Sequence, residues 1–311
     1  MNRISEGPTK SVLVTAVLVL IALPLTGHAV TLQVNCDQPK SKLPTISSAV
    51  QTLKGLLGNL GPNTIEVTGA CNENITIESM EQLTLRAKNG ASITDASGGT
   101  TPAITVDKSS NVTLVDFAIR GGGGFFHAAV ICQYDSTCRF SSNDVQDSNG
   151  NAVAALFGAT VTFDRDVLEQ SATGLFVFAG SRATVLAATF RNNGTGVNVS
   201  GGSSYADNST TIANNSGSGL FVNNHSVAIS GNDTITGNGI GVNVNVQSEF
   251  FARFGSISGN GTGISIGHAS WVNFNGGMAV SGSGTQPDIQ CWGHFSGASG
   301  IAQAGTTNCP P

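Results

Sequence analysis

Four acidic residues share one short stretch of this chain: Asp144, Asp147, Asp166 and Glu169. Asp166 follows Asp144 at the same interval that separates Glu169 from Asp147. Two carboxyls held close together cannot both ionise freely, so at least one keeps its proton to higher pH and suits a general acid. A pair about 5 Å apart matches the separation of the two carboxyls in retaining glycoside hydrolysis. A set of oxygen ligands alone would equally suit calcium, and no other cofactor or metal is expected. Solvated acids on a corner, partly neutralised by Arg139 and Arg165, are the plainer alternative.

A second set of residues suggests contact rather than chemistry. Val130, Val153, Phe176, Asn198, Phe221, Asn243 and Ser265 recur at that same interval or one position more, with Phe178 beside Phe176. Aromatic rings interleaved with amides form a platform for sugar rings, with Phe176, Phe178, Asn198, Phe221 and Asn243 as the substrate-binding candidates. Cover by a loop or by the C-terminal tail is the alternative, because large exposed apolar patches are uncommon.

Both sets depend on a repeat that stacks distant residues. The openings Gly174-Leu-Phe-Val, Gly196-Val-Asn-Val, Gly219-Leu-Phe-Val, Gly241-Val-Asn-Val and Gly263-Ile-Ser-Ile follow one another at a nearly constant step. Asn151-Ala-Val-Ala and Ala128-Ala-Val-Ile extend the series backwards with the same period. A fixed period of this length means stacked units that bury their apolar sides against one another. Alternation inside each unit says strand. The fold class expected is all-β: a right-handed parallel β-helix, a single-stranded solenoid of 22–23-residue coils.

A second inner row reads Val145, Val167, Phe190, Ile212, Ile235 and Ile257. Three residues after each come Ser148, Gln170, Asn193, Asn215, Asn238 and Asn260. Stacked amides hydrogen-bond from turn to turn, and Asn tolerates the left-handed backbone of a sharp corner. With neighbouring strands about 4.8 Å apart, this register places the four acids in a two-by-two cluster.

Residues 1–29 read as a signal peptide. Arg3 and Lys10 precede the apolar run Val12 to Leu25, and Gly27-His28-Ala29 offers a small-residue cleavage site. The run is short for a membrane span of about 20 residues, although an uncleaved anchor is the alternative. Residues 30–101 form an N-terminal cap and first coils, 102–285 the repeats, and 286–311 a C-terminal cap or tail. In the cap, Ile46, Val50, Leu53 and Leu57 give the helical stripe of a capping helix over Pro44 to Leu57.

Without residues 1–29 the chain holds 12 basic and 18 acidic residues, a net of −6, and charged residues make up only 11% of the full sequence. No polybasic nucleic-acid surface is expected. Six cysteines in an exported chain indicate disulfides, and nearest-neighbour pairing joins Cys36 to Cys71, Cys132 to Cys138 and Cys291 to Cys309. No C-x2-C or paired-His spacing supports zinc.

The run from Ala49 through Leu85, with Thr64-Ile-Glu-Val-Thr-Gly-Ala-Cys71-Asn-Glu-Asn-Ile-Thr-Ile, resembles the opening of right-handed parallel β-helix proteins of the pectin-lyase-like superfamily. The later units resemble the repeats of carbohydrate-binding and sugar-hydrolase β-helices, so the likeness covers the whole chain after residue 29. It implies three parallel sheets, with glycan ligands along one outer sheet. The family's catalytic signatures are missing, since Asn-Thr-Asp, Asp-Asp, Arg-Ile-Lys, Arg-x-Pro-x-x-Arg and Trp-x-Asp-His are all absent. Gly267-His268-Ala269 and Gly293-His294-Phe295 each lack the second glycine of Gly-His-Gly. The sequence therefore points to a secreted monomer, extracellular or periplasmic, that meets extracellular or cell-envelope polysaccharide. Its alternatives are a lyase or hydrolase using the Asp144/Asp166 region, and a structural or adhesive surface protein.

Overall fold

The computed structural model describes residues 29–57, 61–147, 149–274, 276–285, 287–292, 296–300 and 305–310. Of the expected signal peptide 1–29, residues 1–28 lie outside them, as does Ser148. Among the described residues the chain winds into about ten coils built from three parallel sheets. The first sheet has twelve strands, from Val30–Asn35 to Gly297–Ser299. The second has ten, from Ala70–Asn72 to Ala279–Ser281, and the third has ten, from Ile75–Glu78 to Ile289–Trp292. One coil visits each sheet once, as Thr160–Asp164, Val167–Glu169 and then Thr173–Phe178 show. A single apolar core of Val, Ile, Leu and Phe fills the bore.

The expected capping helix runs from Ile46 to Leu57. Thr45 caps it, its hydroxyl accepting from the Ser48 N–H at 3.1 Å. The Glu73 carboxylate accepts the Ile46 and Ser47 N–H groups at 2.7 and 3.0 Å, placing negative charge at the positive end of the helix. Ile46, Ala49, Val50 and Leu53 are buried against the first coils. The three disulfides pair as the spacing predicts: Cys36–Cys71, Cys132–Cys138 and Cys291–Cys309.

The corners explain the repeat. At each one a residue of left-handed backbone turns the chain and leaves the next N–H buried, and a buried N–H needs an acceptor. The next coil supplies it from a side chain. Between the second and third sheets, the N–H groups of Ser171, Asn193, Asn215 and Asn238 donate to Oδ1 of Asn193, Asn215, Asn238 and Asn260 at 2.9–3.0 Å. The same amides donate through Nδ2 to carbonyls of the coil before, as Asn215 does to Phe190 at 3.2 Å. Between the third and first sheets serines do this work: Ser203, Ser226 and Ser248 N–H donate to Oγ of Ser226, Ser248 and Ser270, each at 3.2 Å. Between the first and second, Phe117, Asn143 and Thr210 N–H donate to Oδ1 of Asn143, Asp166 and Asp233 at 2.7–3.0 Å. The amide ladder is thus one of three.

The opening glycines belong to the same device. A Cβ on Gly196 would lie 2.5 Å from the Gly219 carbonyl oxygen and 2.9 Å from Asn215 Nδ2, so a side chain would separate the coils.

The register differs from expectation in two places. Val145 stands beside Leu168, not Val167, and Asp144 stands beside Val167. Gln170 is an exposed corner residue with φ 53°, and Ser171 holds the buried rung. Likewise Asn151 pairs with Thr173 and Val153 with Leu175, so Val130 and Val153 face the bore and the outer row begins Ile131, Ala154. Both slips fall where consecutive residues are apolar on both faces, as in Val167-Leu168 and Ala152-Val-Ala-Ala-Leu. There, alternation no longer tells inside from outside.

Replacing Asn215 with Ala leaves the Asn193 N–H buried without its acceptor and removes the Nδ2 bond to Phe190, and is expected to cost about 2 kcal/mol. Asn198→Ala, which breaks no hydrogen bond among the described residues, is expected to stay within about 0.5 kcal/mol. Urea unfolding of both variants checks the contrast through the transition midpoint.

Candidate functional site

The four acids do not form one cluster. Asp144 and Glu169 lie on the outer face of the second sheet, each held by its own arginine: Arg120 Nη2 is 2.6 Å from Asp144 Oδ2, and Arg191 Nε is 2.6 Å from Glu169 Oε2. Gln146 bridges them, donating from Nε2 to Asp144 Oδ1 at 3.3 Å and to Glu169 Oε1 at 3.0 Å. The result is a polar chain, arginine to acid to amide to acid to arginine, crossing four strands.

Asp166 and Asp147 sit at opposite corners and are buried. Asp166 Oδ1 accepts the Asn143 N–H at 2.7 Å and its Nδ2 at 2.9 Å, while Oδ2 accepts the Asp164 N–H at 3.0 Å. Asp147 starts the amide ladder, its N–H donating to Ser171 Oγ at 2.8 Å. Burial raises both carboxyls, Asp166 to about 6 despite the three donors around it. The expected two-by-two arrangement is corrected accordingly: a one-residue shift carries Asp166 off the outer face and into a corner. Of the arginines expected nearby, Arg165 pairs with Asp164 at 3.0 Å, and Arg139 lies on the first sheet beside Thr113 and Thr162.

The aromatic and amide row is brought together. On the outer face of the third sheet, Phe176 pairs with Asn198, Asn198 with Phe221 and Phe221 with Asn243. Phe178 stacks on Phe176 with centroids 5.4 Å apart. All five residues are partly exposed. The structure adds rings that spacing did not reveal. Gly121 to His127 make a tight turn closed by the Ala128 N–H donating to the Gly123 carbonyl at 3.2 Å. This turn lays Phe126 against Phe157 and Phe178, with centroids 5.6 and 6.4 Å away. Tyr134 stacks on Phe157 at 5.2 Å, and Phe125 at the tip of the turn is 91% exposed. The turn therefore covers part of the row, over Ala128, Ile131, Ala154 and Leu156, and extends the aromatic surface outward. The only sequence signal for it was the four-glycine run followed by two phenylalanines.

Sequence reasoning also missed a polar group inside the bore. The Tyr205 hydroxyl donates to Asp207 Oδ2 at 2.6 Å, and the Ser230 hydroxyl donates to Asp233 Oδ2. Burial and the neighbouring Asp233 hold the Asp207 carboxyl well above its usual range. Among the described residues two cavities lie away from the acids and the aromatic row, the smaller of them touching Tyr205. One of about 810 Å³ lies beside the capping helix, lined by Leu32, Val34, Leu43 and Thr52; one of about 250 Å³ on the first sheet is lined by Arg182, Thr184, Val227 and Ile229. No helix among the described residues is long and apolar enough to cross a membrane.

The family model for the right handed beta helix region matches residues 102–290. The chain belongs to this family. Among solved structures it resembles the pectate lyase Pel9A, with 10% identity over 86% of this chain and 80% of that one, at a TM-score of 0.55. It is less similar to the pectin methylesterase from Aspergillus niger, with 14% identity over 88% and 91% and a TM-score of 0.41. PfbA, a surface adhesin of Streptococcus pneumoniae, matches at 9% identity over 71% and 68%, with a TM-score of 0.35. No curated protein sequence matches the chain. At these identities the β-helix likeness is one of fold.

The raised acids set a pH dependence. A carboxyl whose folded pKa exceeds its unfolded value contributes most below the unfolded pKa, and the contribution is lost as pH rises through the folded one. For Asp166 that window runs from 3.8 to about 6, worth about 3 kcal/mol. Asp147 and Asp207 act in the same direction. Asp95, whose burial is outweighed by hydrogen bonds that hold it down to about 2, acts in the opposite direction only below 3.8. Thermal unfolding is therefore expected at higher temperature near pH 4.5 than at pH 7, and Asp166→Asn should flatten that slope.

Proposed function

We propose that this protein is exported and contacts extracellular or cell-envelope polysaccharide along the outer face of its third sheet. The ring and amide row Phe176, Asn198, Phe221 and Asn243, in register on successive coils, carries this reading. Stacked coils repeat at about 4.8 Å, which offers an extended polymer one contact per coil. The apolar N-terminal run after basic residues and three disulfides in the described chain support export.

The acids favour contact over cleavage. Asp144 and Glu169 are each engaged by an arginine, the Asp166 carboxylate serves a corner ladder, and the Asp147 carboxylate is buried and accepts the Asn149 N–H. A lyase or hydrolase needs a carboxyl free to face a glycosidic bond, and a purely structural or adhesive solenoid has no need of the ring row. Calcium has the same difficulty, because Asp144 and Glu169 already lie against guanidinium groups.

A polysaccharide array read with the purified protein should show binding that weakens about tenfold when Phe176→Ala and Phe221→Ala are combined, a loss of about 1.4 kcal/mol. Asp144→Asn should leave it unchanged, with no reducing ends or unsaturated uronates released. Full binding by the double phenylalanine variant would remove the face from consideration.

A further inference from the structure

The third sheet is free of charge over most of its length. Its eight strands from Ala128–Gln133 to Ile289–Trp292 contain no Asp, Glu, Lys, Arg or His. The other two sheets place Arg139, Arg182 and Glu249, and Arg120, Asp144, Glu169 and Arg191, in strands of the same coils. Beside these eight strands, titratable groups stand in the flanking turns, as His127, Asp135, His225 and His268 do.

The amides on this face differ from those of the corner ladder. Asn193, Asn215, Asn238 and Asn260 use both ends of their side chains inside the protein. Asn198 and Asn243 use neither among the described residues, and their Oδ1 atoms are out of solvent without a partner. Turning either amide about χ2 therefore sacrifices no protein hydrogen bond, and each is free to offer an acceptor or two donors to something lying on the face.

The face also has two ends. Phe176 and Phe178 stand at one. At the other, Trp292 lies across Gly267, where a Cβ would come within 3.0 Å of its ring, and Nε1 donates to Ser265 Oγ at 2.6 Å. Phe176, Asn198, Phe221, Asn243, Ser265 and Gln290 follow one another in register between those ends. Five steps at strand spacing make a strip about 24 Å long.

We infer that this strip takes an uncharged polysaccharide and discriminates against polyuronates. The inference deepens the reading of the same face given above and rests on it. A uronate carboxylate laid against rings and amides loses water with no cation to replace it, which is costly. A neutral chain brings only hydroxyls, each both donor and acceptor, to rotatable amides, and apolar ring faces to phenylalanine and tryptophan. The net negative charge of the chain further disfavours a polyanion.

The test compares soluble uncharged glucans, mannans and xylans with polygalacturonate and alginate, at low and high salt, by calorimetry or affinity electrophoresis. The expected result is binding to at least one uncharged polymer, insensitive to salt and weakened about tenfold by Asn198→Ala with Asn243→Ala. Asn198→Lys should weaken that binding and create salt-sensitive binding to polygalacturonate. Polyuronate binding by the unmodified protein that falls with salt and is lost in Phe176→Ala with Phe221→Ala would overturn the inference while leaving the face as the glycan site. Polyuronate binding lost instead in Arg139→Ala with Arg182→Ala would overturn both, and so would failure of every polymer to bind.

Discussion

A buried backbone N–H at the corner of a coil has nowhere to go except upward or downward along the solenoid axis. At all three corners of this protein there are runs of coils in which it goes to a side-chain oxygen of the next coil, from asparagine, serine or aspartate. Each bond contributes only about 1 kcal/mol net, but leaving the group unmet costs about 1–3 kcal/mol. The rungs must therefore sit directly over one another. Once they do, the strands between them are in register, and side chains one coil apart share a row on the surface. The outer faces follow from the corners.

The same constraint accounts for the acids. A carboxylate at a corner does what an asparagine does, accepting an N–H from the coil before, at the expense of desolvating a charge. Asp166 takes the place next to Asn143 in one ladder; Asp147 heads another through its N–H, while its buried carboxylate accepts the Asn149 N–H of its own turn. Their raised pKa values express that cost rather than preparation for proton transfer. Perturbed carboxyls often mark active sites; at these two positions the hydrogen-bond partners identify a structural cause. The bore carries a further example in Asp207, whose second oxygen is bonded by Tyr205.

Much of this was legible in the sequence. The period, the inner apolar rows from Phe190 onward, the asparagine column from Asn193 to Asn260, the capping helix and the disulfide pairs are all read from spacing, because each is repeated or is a local pattern. Legibility failed where a strand is covered on both sides. Val153 and Val167 have apolar neighbours, and without polar outward residues a shift of one cannot be detected. The shift at Val167 was enough to assemble an acid quartet that the register disperses. The turn carrying Phe125 and Phe126 was hidden for another reason: it occurs once, and a single excursion leaves no periodic trace. The serine column was readable in principle, since Ser203, Ser226, Ser248 and Ser270 keep the period, but serine is common enough in this composition to pass unnoticed.

Amide hydrogen exchange resolved to single residues tests the corner account most directly. The N–H groups of Asn193, Asn215, Asn238, Ser203, Ser226 and Ser248, although they lie in or beside turns, should exchange as slowly as those of the flanking strands. Exchange of these six at the rate of exposed turn residues whose N–H groups have no acceptor among the described residues, such as Asn224 and Asn232, would contradict it.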